Sequence, residues 1–172
     1  MKISVLCLSA ALVSASGAAA QTVTDPQIAS IVVTANQVDI DAGKLAAARS
    51  KSADVKKFAQ LMVTDHSGVN KQAVALVTKL KVTPEDNATS RDLKAGGAKN
   101  VATLEALKGA EFDRAYVDHE VAYHQAVLDA VDKTLIPNAK NEELKALLVK
   151  VRPAFVAHLE HAKHLAATLG QK

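Results

Sequence analysis

The 172-residue chain carries 21 Lys and Arg against 18 Asp and Glu, a formal net charge of +3, with both signs spread along its length. No basic block or aromatic platform marks a nucleic-acid partner, and with no tryptophan, three phenylalanines and two tyrosines the composition favours helix over sheet. One cysteine, Cys7, leaves little room for disulfide or thiolate chemistry.

Residues 1–20 read as a secretory signal peptide. Lys2 supplies the positive start, Ile3 to Val13 is an apolar run broken only by Ser4 and Ser9, and Ala18-Ala19-Ala20 is a small-residue cleavage site before Gln21. The run is too short to span a bilayer. Cys7 lies too near the start, and follows Leu6 rather than a small residue, so a lipoprotein is not expected. Cleavage removes it, which excludes a Cys-ligated metal from the mature chain. Residues 21–172 then form one domain, periplasmic or secreted, with no transmembrane segment.

The first helix is expected from Asp25-Pro26, an N-cap followed by proline, to about Arg49. Ile28, Ile31, Val32, Ala35, Ala42 and Ala46 form its apolar stripe, and Asp39 interrupts it. Ser52 or Asp54 caps a second helix, whose stripe runs from Val55 through Phe58, Met62, Val69 and Val77 to Leu80. His66 lies on that stripe, and Pro84 ends the pattern. A shorter helix fits Ser90 to Leu107, with a possible break at Gly96-Gly97. The next runs from about Ala110 to Thr134, with Phe112, Tyr116, Glu120, Tyr123, Val127 and Val131 on one face and a turn at Pro137-Asn138. The last runs from about Asn141 to Leu169, with Leu144, Leu148, Val151, Phe155, Leu165 and the polar His158 on one face, and Pro153 predicts a kink or local break. Four long helices and one shorter insert between the second and third predict an all-α four-helix bundle.

A polar ring or acid inside an apolar stripe costs free energy unless it has a partner. Asp39, His66, Glu120 and His158 break four different stripes, which is how a bundle builds a metal or proton site in its core. Taken singly, a buried neutral histidine bonded to a neighbour is the commoner case. Asp65, adjacent to His66, projects in another direction and is not expected to orient that ring. Glu120 and His124 are one helical turn apart and can ligate one cation or share a proton, or form a surface pair. Glu120 is nearer the stripe centre, so only one of the two is expected to face fully inward. His158 and His161 form a further i,i+3 pair, His161 and His119 lie at stripe edges, and His164 points away. The zinc-protease motif is absent, because the histidine after His119-Glu120 comes one position late, and no nucleophile elbow, phosphate loop or dinucleotide fingerprint occurs.

The runs Asp39-Ile40-Asp41-Ala42-Gly43-Lys44-Leu45-Ala46 and Val55-Lys56-Lys57-Phe58-Ala59-Gln60-Leu61-Met62-Val63-Thr64-Asp65-His66 resemble the DUF4142 family of exported bacterial proteins. So do Phe112-Asp113-Arg114-Ala115-Tyr116-Val117, His124 and His158, in the same order. The resemblance implies a ferritin-like helical bundle in the periplasm or outside the cell, and no activity. Asp39 matches the family's first-helix acid, usually glutamate, and His66, His124 and His158 match its recurring histidines. Di-iron bundles of the ferritin type use Glu-x-x-His pairs, which this chain lacks. A set rich in imidazole suits one copper, zinc, nickel or iron ion better.

The candidate metal ligands are therefore Asp39, His66, His124 and His158, with Glu120 in reserve. Binding is expected rather than turnover. The rival expectation is a structural or stress-response interaction protein whose buried polar groups bond to one another. A weaker third is proton-transfer catalysis by His124 and Glu120. No protein partner is indicated, and a homo-oligomer is compatible with the sequence.

Overall fold

The computed structural model describes residues 22–170, which are all-α with no strand among them. The expected signal peptide lies outside the described residues. Helix α1 spans Asp25–Arg49, α2 Ala53–Leu80, α3 Ala88–Ala106 and α4 Gly109–Ala130. A π-helical turn, Val131–Leu135, and a short α5, Ile136–Asn138, extend α4, and α6 spans Glu142–Gly170.

The helix ends follow local chemistry. Thr24, one residue before the expected cap, closes a capping box with Gln27, and Pro26 sits in the first turn. Asp25 is left free to bond elsewhere. Its carboxylate accepts from the backbone N–H groups of Lys140 and Asn141, both at 2.9 Å, and ties the loop before α6 to the start of α1. Ser52 caps α2, which ends on Lys81 in the left-handed conformation, φ 55°. Asn87 and Ser90 form the capping box of α3.

Three expectations are corrected. Helix α3 is not broken at Gly96-Gly97. Gly97 is there because α3 presses on α1: a Cβ at that position would lie 2.7 Å from a methyl of Val38. Pro137 does not make a turn but sits inside α5. The preceding π-turn widens the helix where the proline ring would otherwise meet a carbonyl one turn back. Pro153 does not break α6, which runs through it. Both Pro153 and Val149, whose carbonyl loses its partner, are exposed, so water can serve that oxygen.

Helix α1 packs on α2, α3 and α4, and α6 packs on α2 and α4. The interior holds two apolar clusters. One gathers Ile28 and Val32 of α1, Val69 and Ala73 of α2, Leu128 and Val131, and Leu148 and Phe155 of α6. The other gathers Ala42 and Ala46, Phe58 and Met62, Phe112 and Tyr116, and Ala162 and Leu165. Each fully buried large side chain contributes about 1.5–3 kcal/mol. The order of these residues gives the helix directions. Helices α1 and α6 run from the first cluster to the second, and α2 and α4 run back. Helices α2 and α4 are thus parallel, and α3 is the crossover that returns the chain between them.

Candidate metal centre

Between the two apolar clusters every long helix changes chemistry. Helix α1 places Asn36 and Asp39 there, α2 His66, α4 Glu120 and His124, and α6 His158, all buried. The four histidine and aspartate candidates therefore come from four helices and converge. One ring nitrogen from each of His66, His124 and His158 lies within 4.8 Å of the others, and Asp39, Glu120 and His124 form a second such group. The rings are mutually close, with centroids 5.3–5.5 Å apart. His66 also stacks on Phe155.

The outer hydrogen bonds decide what each ring offers inward. The Asn36 amide N–H donates to the Val32 carbonyl at 2.7 Å, which turns its oxygen toward His66. His66 Nδ1 must then donate to Asn36 Oδ1, 2.7 Å away, and Nε2 keeps a bare lone pair. His124 Nδ1 donates to the Glu120 backbone carbonyl at 3.0 Å, which leaves its Nε2 bare. His158 Nε2 donates to the Asp65 carboxylate at 2.9 Å, which leaves its Nδ1 bare. The three nitrogens so predicted to be bare, His66 Nε2, His124 Nε2 and His158 Nδ1, are buried with no hydrogen-bond partner.

The carboxyls meet the same face. Asp39 Oδ2 lies 3.1 Å from His66 Nε2 and 3.5 Å from His124 Nε2. These contacts lack hydrogen-bond alignment, and both Asp39 oxygens and both Glu120 oxygens are unpartnered. The bare imidazole lone pairs thus face two carboxyl groups that lie close enough to share a proton. The buried Tyr116 hydroxyl is also unpartnered, and its acidity is weakened by burial and by the charges of Glu120 and Asp39.

The electrostatics follow from burial. Desolvation lowers His66 to about 2, helped by His124 and His158, and lowers His124 to about 4. Burial also lowers His158, against the pull of Asp65. Three neutral imidazoles face inward at neutral pH. Burial raises Asp39 to about 7, and burial plus the Asp39 charge raises Glu120 well above the carboxylate range. The carboxyl pair therefore holds on to protons that a cation would displace.

Glu120 and His124 both face fully inward, each 1 % exposed, where only one was expected to. His124 Nδ1 is held by the Glu120 backbone carbonyl, and the Glu120 carboxylate lies 3.5 Å from the same nitrogen. The pair of His158 and His161 does not form: His161 is exposed and meets the edge of Phe58 instead. His119 stacks on Tyr123, and His164 is exposed. Two residues of the site fall outside the sequence expectations. Asn36 lies three positions before Asp39, on the same buried face, and that spacing is a usable signal. Asp65 orients His158 across the bundle rather than its neighbour His66, and no sequence spacing shows it.

Such a centre defines a class: an all-α protein whose helices enclose a histidine and carboxylate cluster at mid-length. The chain belongs to the DUF4142 family, described as a domain of unknown function, which it matches over residues 10–165. No curated protein and no solved structure matches it. No helix of the described residues is long and apolar enough to cross a membrane.

Proposed function

We propose that the protein binds one transition-metal ion, copper, zinc, nickel or iron, in a bundle of ferritin-like connectivity that works in the periplasm or outside the cell. His66, His124, His158 and Asp39 would hold the ion, with Glu120 beside them. The observation that carries this reading is the state of the three imidazoles. Each has its outer N–H engaged and its inner lone pair bare, and Asn36, the Glu120 carbonyl and Asp65 fix those tautomers as outer partners do at metal sites. The two ligand groups share His124, which has one free nitrogen, so they describe one centre rather than two. The crossover between the parallel helices α2 and α4 supports the ferritin-like reading, since ferritin-like bundles have one such connection. A bound ion would supply Lewis acidity or a redox couple. The chain's own residues bind and orient it and shed protons from Asp39 and Glu120.

The test is metal content of the mature, untagged protein after purification and after titration with each metal, beside a His66→Ala, His158→Ala double variant. One equivalent per chain in the parent and a large loss in the variant is expected. Equal, substoichiometric metal in both would refute it.

The competing reading is a structural or stress-response interaction protein with a buried polar network. The raised proton affinity of Asp39 and Glu120 favours it, because protons could fill the role of the ion. Under that reading, His66→Leu with His158→Leu is tolerated or stabilising, and no metal binds the parent.

A further inference from the structure

A cavity of about 270 Å³ opens into the half of the bundle that holds the first apolar cluster. Its floor is made of Ile31, Leu148, Val151 and Phe155, all buried. Its rim lies on α3 and α4, where Thr89 and Ala126 are exposed and Leu93 and Val127 are half-buried. The surface of the cavity is almost wholly apolar. The polar side chains beside it turn no free group toward it. Asn36 is engaged by the Val32 carbonyl and by His66, and the Tyr123 hydroxyl donates to the Ala35 carbonyl at 2.9 Å. Both Asp39 oxygens and the Nε2 atoms of His66 and His124 lie beyond the reach of a water molecule.

Protein interiors pack as tightly as organic crystals and leave few voids larger than a water. Water does not settle in such a space without polar partners, and a dry apolar cavity of about 150 Å³ holds benzene. In proportion, this one takes roughly ten heavy atoms. A hydroxyl or an amine enclosed by these walls would lose its hydrogen bonds to water and gain none, and a charge would lose more. The Phe155 and Tyr123 rings in the wall favour a ring over a flexible chain, which also gives up more freedom when confined. We propose that this cavity binds an uncharged aromatic or alicyclic hydrocarbon of about ten heavy atoms, held wholly inside and carrying no polar head.

Entry lies between α3 and α4. Helix α3 is tied at its ends, by Asn87 on the Gln27 carbonyl and by Arg49 on the carbonyls of Leu104, Glu105 and Leu107. It buries only Ser90, Gly97 and Leu104 along its length. On α4 the exposed Ala126 is too small to close the opening.

The proposal does not rest on the metal reading, so it is tested on chelator-treated protein, with metal uptake measured separately. The probes are 4-isopropyltoluene and 4-isopropylphenol, which match in size and differ by a methyl for a hydroxyl. Headspace gas chromatography over the protein solution reads the free concentration of each. One 4-isopropyltoluene per chain is expected, bound at least about tenfold more tightly than the phenol. Val151→Phe fills the cavity and is expected to weaken the hydrocarbon at least about tenfold, with helical circular dichroism and cooperative melting retained. If that variant does not fold, Val127→Phe at the half-buried rim makes the same test. Val74→Phe, exposed on α2 outside the cavity, is expected to bind as the parent does. In the parent, NMR contacts from the bound hydrocarbon are expected on the methyls of Val127, Leu148 and Val151. Non-saturable uptake, a phenol bound as tightly as the hydrocarbon, or contacts on other methyls alone would overturn the proposal. So would parental affinity in a folded, filled variant, or an equal loss in Val74→Phe.

Discussion

Replacing Asp39 by asparagine should move stability and metal affinity in opposite directions. Burial raises the Asp39 carboxyl from its ordinary 3.8 to about 7. A group whose folded value is raised adds its stability below the unfolded value and loses it as pH rises through the folded one. Each pH unit between 3.8 and 7 is worth about 1.4 kcal/mol. At pH 8 the buried carboxylate thus costs the metal-free protein up to about 4 kcal/mol, an upper figure because Glu120 competes for the same proton. Asparagine keeps the shape and removes the charge, at a cost of about 1–3 kcal/mol if its own amide stays unpaired. Urea unfolding of the chelator-treated variant should show a net gain of roughly 1–3 kcal/mol at pH 8. The gain should vanish or reverse near pH 4.5, where Asp39 is protonated in the folded state and its ionisation penalty falls to about 1 kcal/mol, no more than the cost of an unpaired amide. Metal affinity should fall by more than about tenfold, since an anionic ligand becomes neutral. A D39N variant less stable than the parent by the same amount at both pH values would refute the account of Asp39 as a charge held against its solvation.

Other outcomes follow from the same geometry. Acid should destabilise the metal-free protein below pH 6.5, because His66 and His124, lowered to about 2 and about 4, stay neutral when folded while the unfolded chain takes up protons. Asp39 opposes this trend, so Asp39→Asn should steepen the loss to as much as roughly 3 kcal/mol per pH unit, read from urea midpoints at constant m-value. Asp65 is partly exposed, so Asp65→Asn should leave the melting temperature within a few degrees while lowering metal affinity about ten- to a hundredfold in competition with a chelator. In α3, Gly97→Ala drives a Cβ against both methyls of Val38 and should cost about 1–3 kcal/mol, whereas Gly96→Ala, with nothing within 4 Å, should gain up to about 1 kcal/mol. Thermal melts of the two single variants decide it.

What was legible from the residues alone was whatever a single helix carries on one face. The stripes of α2 and α6 put His66 and His158 inside because period and polarity conflict there, and the same conflict marked Asp39 and Glu120. The N-terminus of α1 was readable to one residue, since Thr24-Asp25-Pro26 offers two adjacent caps. What depends on two helices at once was not readable. Asp65 looks like a surface acid on its own helix, and only the packing of α2 on α6 brings it to His158. Gly96-Gly97 looks like a break because glycine weakens a helix, but the demand that Val38 makes on Gly97 belongs to α1. The π-turn before Pro137 has the same character: a proline that ends a lone helix is absorbed when Val131 and Leu135 gain burial by continuing it.

The tautomer locks also bear on how the chain finds its pairing. His66 on α2 is oriented from α1, and His158 on α6 is oriented from α2. A helix slipped by one turn along its neighbour would misplace large buried side chains such as Phe58, Phe112 and Tyr116. It would also carry Asn36 or Asp65 away from the ring it serves and leave a buried N–H unpaired, at about 1–3 kcal/mol each. The alanines and valines between those large residues discriminate less between alignments. These cross-helix hydrogen bonds add to the discrimination that the large residues provide, and they act before any ion is present.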